Sequence, residues 1–128
     1  MGHFHDHSKE KEFFDKSEEE KIHKCEHYRI VGNYLYGEGM IAKAAEYYKI
    51  AIAYYEYCFP DNEVTQAALD VLRHACLCNA SLCYIRMGYF RQAVESAGIV
   101  LQETEHKHSK ALFRRAQAYR CLDEYRFL

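Results

Sequence analysis

The sequence predicts an all-α protein assembled from helical hairpins. Three observations carry that prediction. One proline and six glycines in 128 residues leave few breaks, so the helices should run long. Apolar residues recur at intervals of three and four, and no alternating run bounded by turn residues reads as a strand. A pattern of small and bulky residues also returns along the chain.

The elements follow in order. Residues 1–16 form a polar, His- and charge-rich head that reads as a flexible segment. Ser17-Glu18-Glu19-Glu20 reads as a capping box, with the Ser17 hydroxyl taking an early amide and Glu20 reaching back. Acidic residues in that first turn also suit the helix dipole. Ile22, Cys25, Tyr28, Val31 and Leu35 then keep helical spacing, and Gly37-Glu38-Gly39 breaks the helix. Ile41, Ala44, Ala45, Tyr48, Ala51, Ile52 and Tyr55 mark a second helix. Phe59-Pro60-Asp61-Asn62 is a stop followed by a new cap, and a long helix runs from about Glu63 to Met87, closed by Gly88. Phe90 to about Leu101 is a shorter helix, the polar Gln102–His108 stretch a connector, and Ser109 to about Leu122 a last helix.

Composition narrows the function classes. Hydrophobic residues make up 49% and charged residues 28%, a globular balance. A net charge of −2 with no basic stripe gives no pull towards nucleic acid or membrane, and no run of about 20 apolar residues could span a bilayer. Met1–Glu12 is not a secretory signal, and Asp6 stands where a myristoylation motif wants Ser or Thr. The six cysteines, at 25, 58, 76, 78, 83 and 121, are expected to be reduced, which together with the missing signals points to the cytoplasm.

No nucleophile with a base, no Gly-rich phosphate loop and no HExxH motif stands out, so neither catalysis nor a cofactor is expected. His3, His5 and His7 read as a tail that catches metal incidentally. Cys76 and Cys78, two apart on a helix, point to different sides, so His74, Cys76, Cys78 and Cys83 do not form a tetrahedral site. His23 and His27 read as a solvated face.

The repeat is explicit in the residues. Small residues stand at Gly32, Ser81 and Ala116, with a bulky one three later at Leu35, Tyr84 and Tyr119. Ala44 and Ala93 lie twelve beyond the small residue, and Tyr48 and Ala97 sixteen beyond. The offset is 49 between the first and second copies and 35 between the second and third. Over residues 20–128 this resembles the tetratricopeptide repeat, a unit of roughly 34 residues of helix, turn and helix. Tyr28, Gly32, Leu35, Ala44, Tyr48 and Ala51 carry the match best. The resemblance implies hairpins stacked into a right-handed superhelix. Its expected parts are repeat 1 at about 17–58, an insertion at about 59–73, repeat 2 at about 74–106 and a truncated repeat 3 at about 107–128. The lengthened hairpin is similar to that in the repeat domains of large FK506-binding immunophilins.

One subgroup of that family holds the C-terminal carboxylates of heat-shock chaperones in a two-carboxylate clamp. The residues that match its pattern are Arg29, Asn33, Asn79, Lys110 and Arg114, with Tyr36 and Arg86 as flanking candidates. Physical reasoning agrees: residues four apart share a helix face, and the first helices of successive hairpins line one side of the stack. Their cations and amide donors would converge on a peptide ending in Asp, giving affinity on the order of micromolar. Arg29 departs from the pattern, which has Lys there, and a planar guanidinium is a different donor from an ammonium. The resemblance therefore implies a co-chaperone module whose partner is the acidic C-terminal tail of cytosolic heat-shock chaperones. Three other readings remain open: a scaffold for an internal segment of another protein, a homodimer formed through the incomplete third repeat, and a supporting part of a larger prolyl-isomerase-like protein.

Overall fold

The computed structural model describes residues 16–125. Most of the polar head, with His3, His5 and His7, and the last three residues of the third repeat lie outside that range. Among the described residues five helices follow one another: α1 (Glu18–Gly37), α2 (Ile41–Glu56), α3 (Glu63–Met87), α4 (Phe90–Glu103) and α5 (Ser109–Tyr125). Each packs against the next, and α3 also packs against α5. This is a stack of antiparallel helical hairpins, all-α and of the tetratricopeptide type. Residues 63–73, within the expected insertion, form the first turns of α3.

The helix ends follow from local chemistry. The Ser17 hydroxyl accepts the Glu20 amide at 3.2 Å, the first half of a capping box. The return bond from Glu20 is not made among the described residues. Glu18 does tertiary work beside it: one carboxylate oxygen takes the Lys21 ammonium at 3.1 Å and the other takes the Phe59 amide at 2.8 Å. Lys21 is buried and also donates to the Tyr57 carbonyl at 2.9 Å, so the start of α1 is tied to the α2–α3 connection. Asn62 caps α3 through the Thr65 amide at 2.8 Å. Gly88 closes α3 at φ 83°, a left-handed turn that glycine adopts without strain.

Two cores hold the stack. The first joins α1, α2 and α3 around Cys25, Ala44, Ala45, Tyr48, Ala51, Tyr54, Tyr55, Cys58, Leu69, Cys76, Ala80 and Cys83. The second, around Leu77, Cys78, Ala97, Val100, Leu101 and Ala111, joins α3, α4 and α5. Ile52 touches both. Small residues let the backbones approach and tyrosines fill what remains: the Tyr28 and Tyr54 rings stack with centroids 5.7 Å apart. The repeat positions show the same logic. A Cβ at Gly32 would lie 2.8 Å from Cε1 of Tyr48, and the Ser81 hydroxyl donates to the Ala93 carbonyl at 2.8 Å. Ala116, the small residue of the truncated third copy, is exposed, and no described helix packs over it; the alanines that α5 buries are Ala111 and Ala118.

The six cysteines are free thiols, five of them buried. Cys76 and Cys83 sit in the first core and Cys78 in the second, so the two neighbours diverge as their spacing demands. His74 turns instead to Glu103, with Nε2 2.9 Å from its carboxylate, and Arg73 pairs with the same carboxylate. Burial alone would push the Glu103 carboxyl up. The hydrogen bonds from His74 and Arg73 win and hold it below the usual carboxylate range.

A folded-state pKa below the unfolded one means stability that is present above the usual carboxylate range and lost as pH falls through the folded value. Glu103→Gln should therefore cost stability at pH 7 and progressively less in acid. With 40% of the Glu103 side chain in solvent, screening limits the cost to about 0.5 kcal/mol. Urea midpoints at pH 7 and pH 3 check this, and an equal difference at both would contradict it.

Candidate peptide-binding site

The expected site residues fall on α1, α3 and α5, the first helices of the successive hairpins. Arg29 and Asn33 are one turn apart on α1, Asn79 is in the middle of α3, and Lys110 and Arg114 are one turn apart at the start of α5. The structure brings Asn33 and Asn79 together: Nδ2 of Asn79 lies 3.4 Å from Oδ1 of Asn33. The same Asn33 oxygen accepts the Tyr48 hydroxyl at 2.6 Å. Asn33, Tyr36, Tyr48, Asn79 and Leu82 line a cavity of about 130 Å³. At roughly 30 Å³ per water, that is room for a few waters or one carboxylate group.

The cations do not line this cavity; Arg29 stands on α1, and Lys110 and Arg114 stand on α5. The half-buried Arg29 guanidinium lies near the phenols of Tyr48 and Tyr55 and the thiol of Cys76. Burial pushes all three groups up, Cys76 to about 12, and the positive charge of Arg29 draws each partly back. Lys110 and Arg114 act in the same way on Cys78, the residue before Asn79. Burial raises that thiol and the two cations oppose the shift. Lys110 is exposed. Arg114 is half-buried, stands over the Phe113 ring at 5.2 Å and donates from Nη1 to Gln117 at 3.1 Å. Nε of Arg29 and Nε of Arg114 are both buried without a hydrogen-bond partner.

Tyr36 and Arg86, the flanking candidates, meet each other. The Arg86 guanidinium carbon sits 5.3 Å from the centre of the Tyr36 ring, a cation–π contact between α1 and α3 at the edge of the cavity. Four residues at or beside the cavity and the cations were not singled out for the site by sequence: Tyr48, Leu82, Cys78 and Gln117. Tyr48 had a signal, since a buried tyrosine brings a hydroxyl that needs a partner. Nothing in the spacing alone marks the other three.

The cavity offers amide groups, with the Arg29 cation one turn from Asn33 on the same helix, an arrangement that suits an anion. A second, more open cavity of about 530 Å³ lies by the α2–α3 connection, lined by residues that include Glu56, Cys58, Arg73, His74 and Glu103. Its charges largely pair among themselves.

No protein-family model matches the chain. Similarity to individual proteins is clear. Peptidyl-prolyl cis-trans isomerase FKBP42 of Arabidopsis thaliana is 33% identical over 106 residues, 81% of this chain and 29% of that protein. Peptidyl-prolyl cis-trans isomerase FKBP4 of Bos taurus is 29% identical over 119 residues, 91% of this chain and 25% of that protein. Sperm-associated antigen 1 of Mus musculus is 34% identical over 96 residues, 74% of this chain and 10% of that protein. The chain thus spans less than a third of the length of each. Over most of its own length, this stack of helical hairpins is homologous to a minor part of large peptidyl-prolyl cis-trans isomerases of the FKBP4 and FKBP42 kind.

Proposed function

We propose that this chain is a protein-binding module that grips the acidic C-terminal tail of cytosolic heat-shock chaperones. Arg29, Asn33, Asn79, Lys110 and Arg114 hold the terminal and side-chain carboxylates of its last aspartate. The observation that carries this reading is the meeting of Asn33 and Asn79, 46 residues apart in sequence, at a small cavity between α1 and α3. The relatives bear the name of prolyl isomerases. In this reading isomerase activity belongs to those proteins, and this chain corresponds to a region that recruits a partner.

The test is a titration with the peptide Met-Glu-Glu-Val-Asp as the free acid and as the C-terminal amide. The free acid should bind at micromolar concentration and the amide much more weakly. Arg114→Ala, with its helicity checked by circular dichroism, should weaken the free acid by about 10- to 100-fold, the worth of one charge-assisted pair. Equal binding of acid and amide, or a folded Arg114→Ala that binds normally, would overturn the clamp and favour a scaffold that takes an internal segment.

A further inference from the structure

The clamp reading leaves one feature of the site without a role: the hydrogen bond from the buried Tyr48 to Asn33. We propose that Tyr48 is a specificity-determining residue. By occupying the Asn33 carboxamide oxygen, its hydroxyl commits the Asn33 NH2 group to the ligand, so that the site prefers a free C-terminal carboxylate to a C-terminal amide. This rests on the clamp reading and refines it.

A carboxamide is ambiguous to a ligand, because one end accepts and the other donates, and rotation exchanges them. Asn33 is not free to rotate. Its oxygen has two lone pairs, and two donors converge on it, the Tyr48 hydroxyl at 2.6 Å and Nδ2 of Asn79 at 3.4 Å. Among the described residues, Nδ2 of Asn33 donates to nothing, and the residue is exposed. A rotated amide would set its NH2 against the Asn79 NH2. It would also strip the Tyr48 hydroxyl hydrogen of its acceptor in a buried setting.

Tyr48 is well placed to enforce this. Its side chain is 2% exposed, and its ring lies so close over Gly32 that even a methyl there would collide with it. The hydroxyl is therefore fixed by packing that has nothing to do with the ligand. Burial also raises the phenol above its ordinary pKa, so it is a donor at neutral pH. The donor end of Asn33 would meet a carboxylate oxygen well. A primary amide could meet that donor only with its carbonyl oxygen, which turns its N–H groups towards the other donors and cations of the proposed clamp, where a carboxylate presents a second oxygen.

The experiment compares the free-acid and amide forms of Met-Glu-Glu-Val-Asp on the wild-type chain, Tyr48→Phe, Asn33→Ala and the double variant. Tyr48→Phe keeps the ring and deletes only the hydroxyl. It should lower the ratio of acid to amide affinity by about five- to tenfold, through a weaker acid and an amide no weaker than before. A loss of packing would instead weaken both forms together. In the Asn33→Ala background the same change should leave the ratio untouched, since the group that Tyr48 orients is gone.

A folded Tyr48→Phe with the wild-type ratio, or one that loses both forms in parallel, overturns the role of Tyr48 and leaves the clamp standing. A wild-type chain that binds acid and amide alike overturns the clamp and this inference with it.

Discussion

Tyr48→Ala is expected to destabilise the protein by about 3–5 kcal/mol, with a fall in melting temperature on the order of 15 °C. Tyr48 is the largest fully buried side chain, and it fills the gap that Gly32 opens between α1 and α2. The neighbours cannot collapse into the space it leaves, because the wall on the α1 side is backbone. Burial of the phenol costs little in the native protein, since Asn33 takes its hydrogen bond. A typical domain has only about 5–15 kcal/mol in hand, so the variant should be close to unfolding. Thermal melts followed by circular dichroism decide it. A loss near 1 kcal/mol would mean that the first core repacks freely and that the Gly32–Tyr48 contact is not its keystone. The contrast with Tyr48→Phe separates the two jobs of one residue: the ring holds the hairpin and the hydroxyl sets an amide.

That contrast also shows what could be read from sequence. Helices were legible because each carries its own punctuation. Asn62 and Gly88 bound α3 as their chemistry requires, and Glu63–Met87 is a helix over the whole stretch expected. Gly32, Ala44 and Tyr48 were legible as packing positions because the repeat returns them at fixed intervals. Ala116 shows the limit of that signal, because periodicity reports a position, whereas burial depends on whether another helix arrives there. The structure leaves that alanine exposed.

Glu18 illustrates another limit. Its place in the first turn of α1 explained it fully as a helix-end charge, yet it bonds the Phe59 amide 41 residues away. Only the folded chain brings those groups together. The binding residues were legible by type and spacing. Their mutual arrangement, with Asn79 reaching Asn33 and Arg86 lying over Tyr36, comes from the way α3 packs beside α1.

Leu101→Ala should cost about 2–5 kcal/mol and should loosen α5 before any other helix. Leu101 is fully buried in the second core, where Leu77 and Val100 are the only other large aliphatic side chains among the six core residues. The end of α4 also closes on it, with the His106 amide bonded to its carbonyl at 2.8 Å. Helix α5 packs on α3 and α4, and Leu112, Phe113 and Tyr119 remain exposed, so no described element holds α5 from its other side. Removing Leu101 takes away a large share of what fixes α5, whereas the first core, with Tyr48, Tyr54, Tyr55 and Leu69, is untouched.

Hydrogen exchange should then show protection lost across 109–125 while 18–56 stays protected. Lys110 and Arg114 ride on α5, so a peptide that needs them should lose affinity at temperatures where most of the helix signal survives. If protection instead falls together in α1 and α5, the two cores act as one cooperative unit, and Ile52, which touches both, is the residue through which they would be joined.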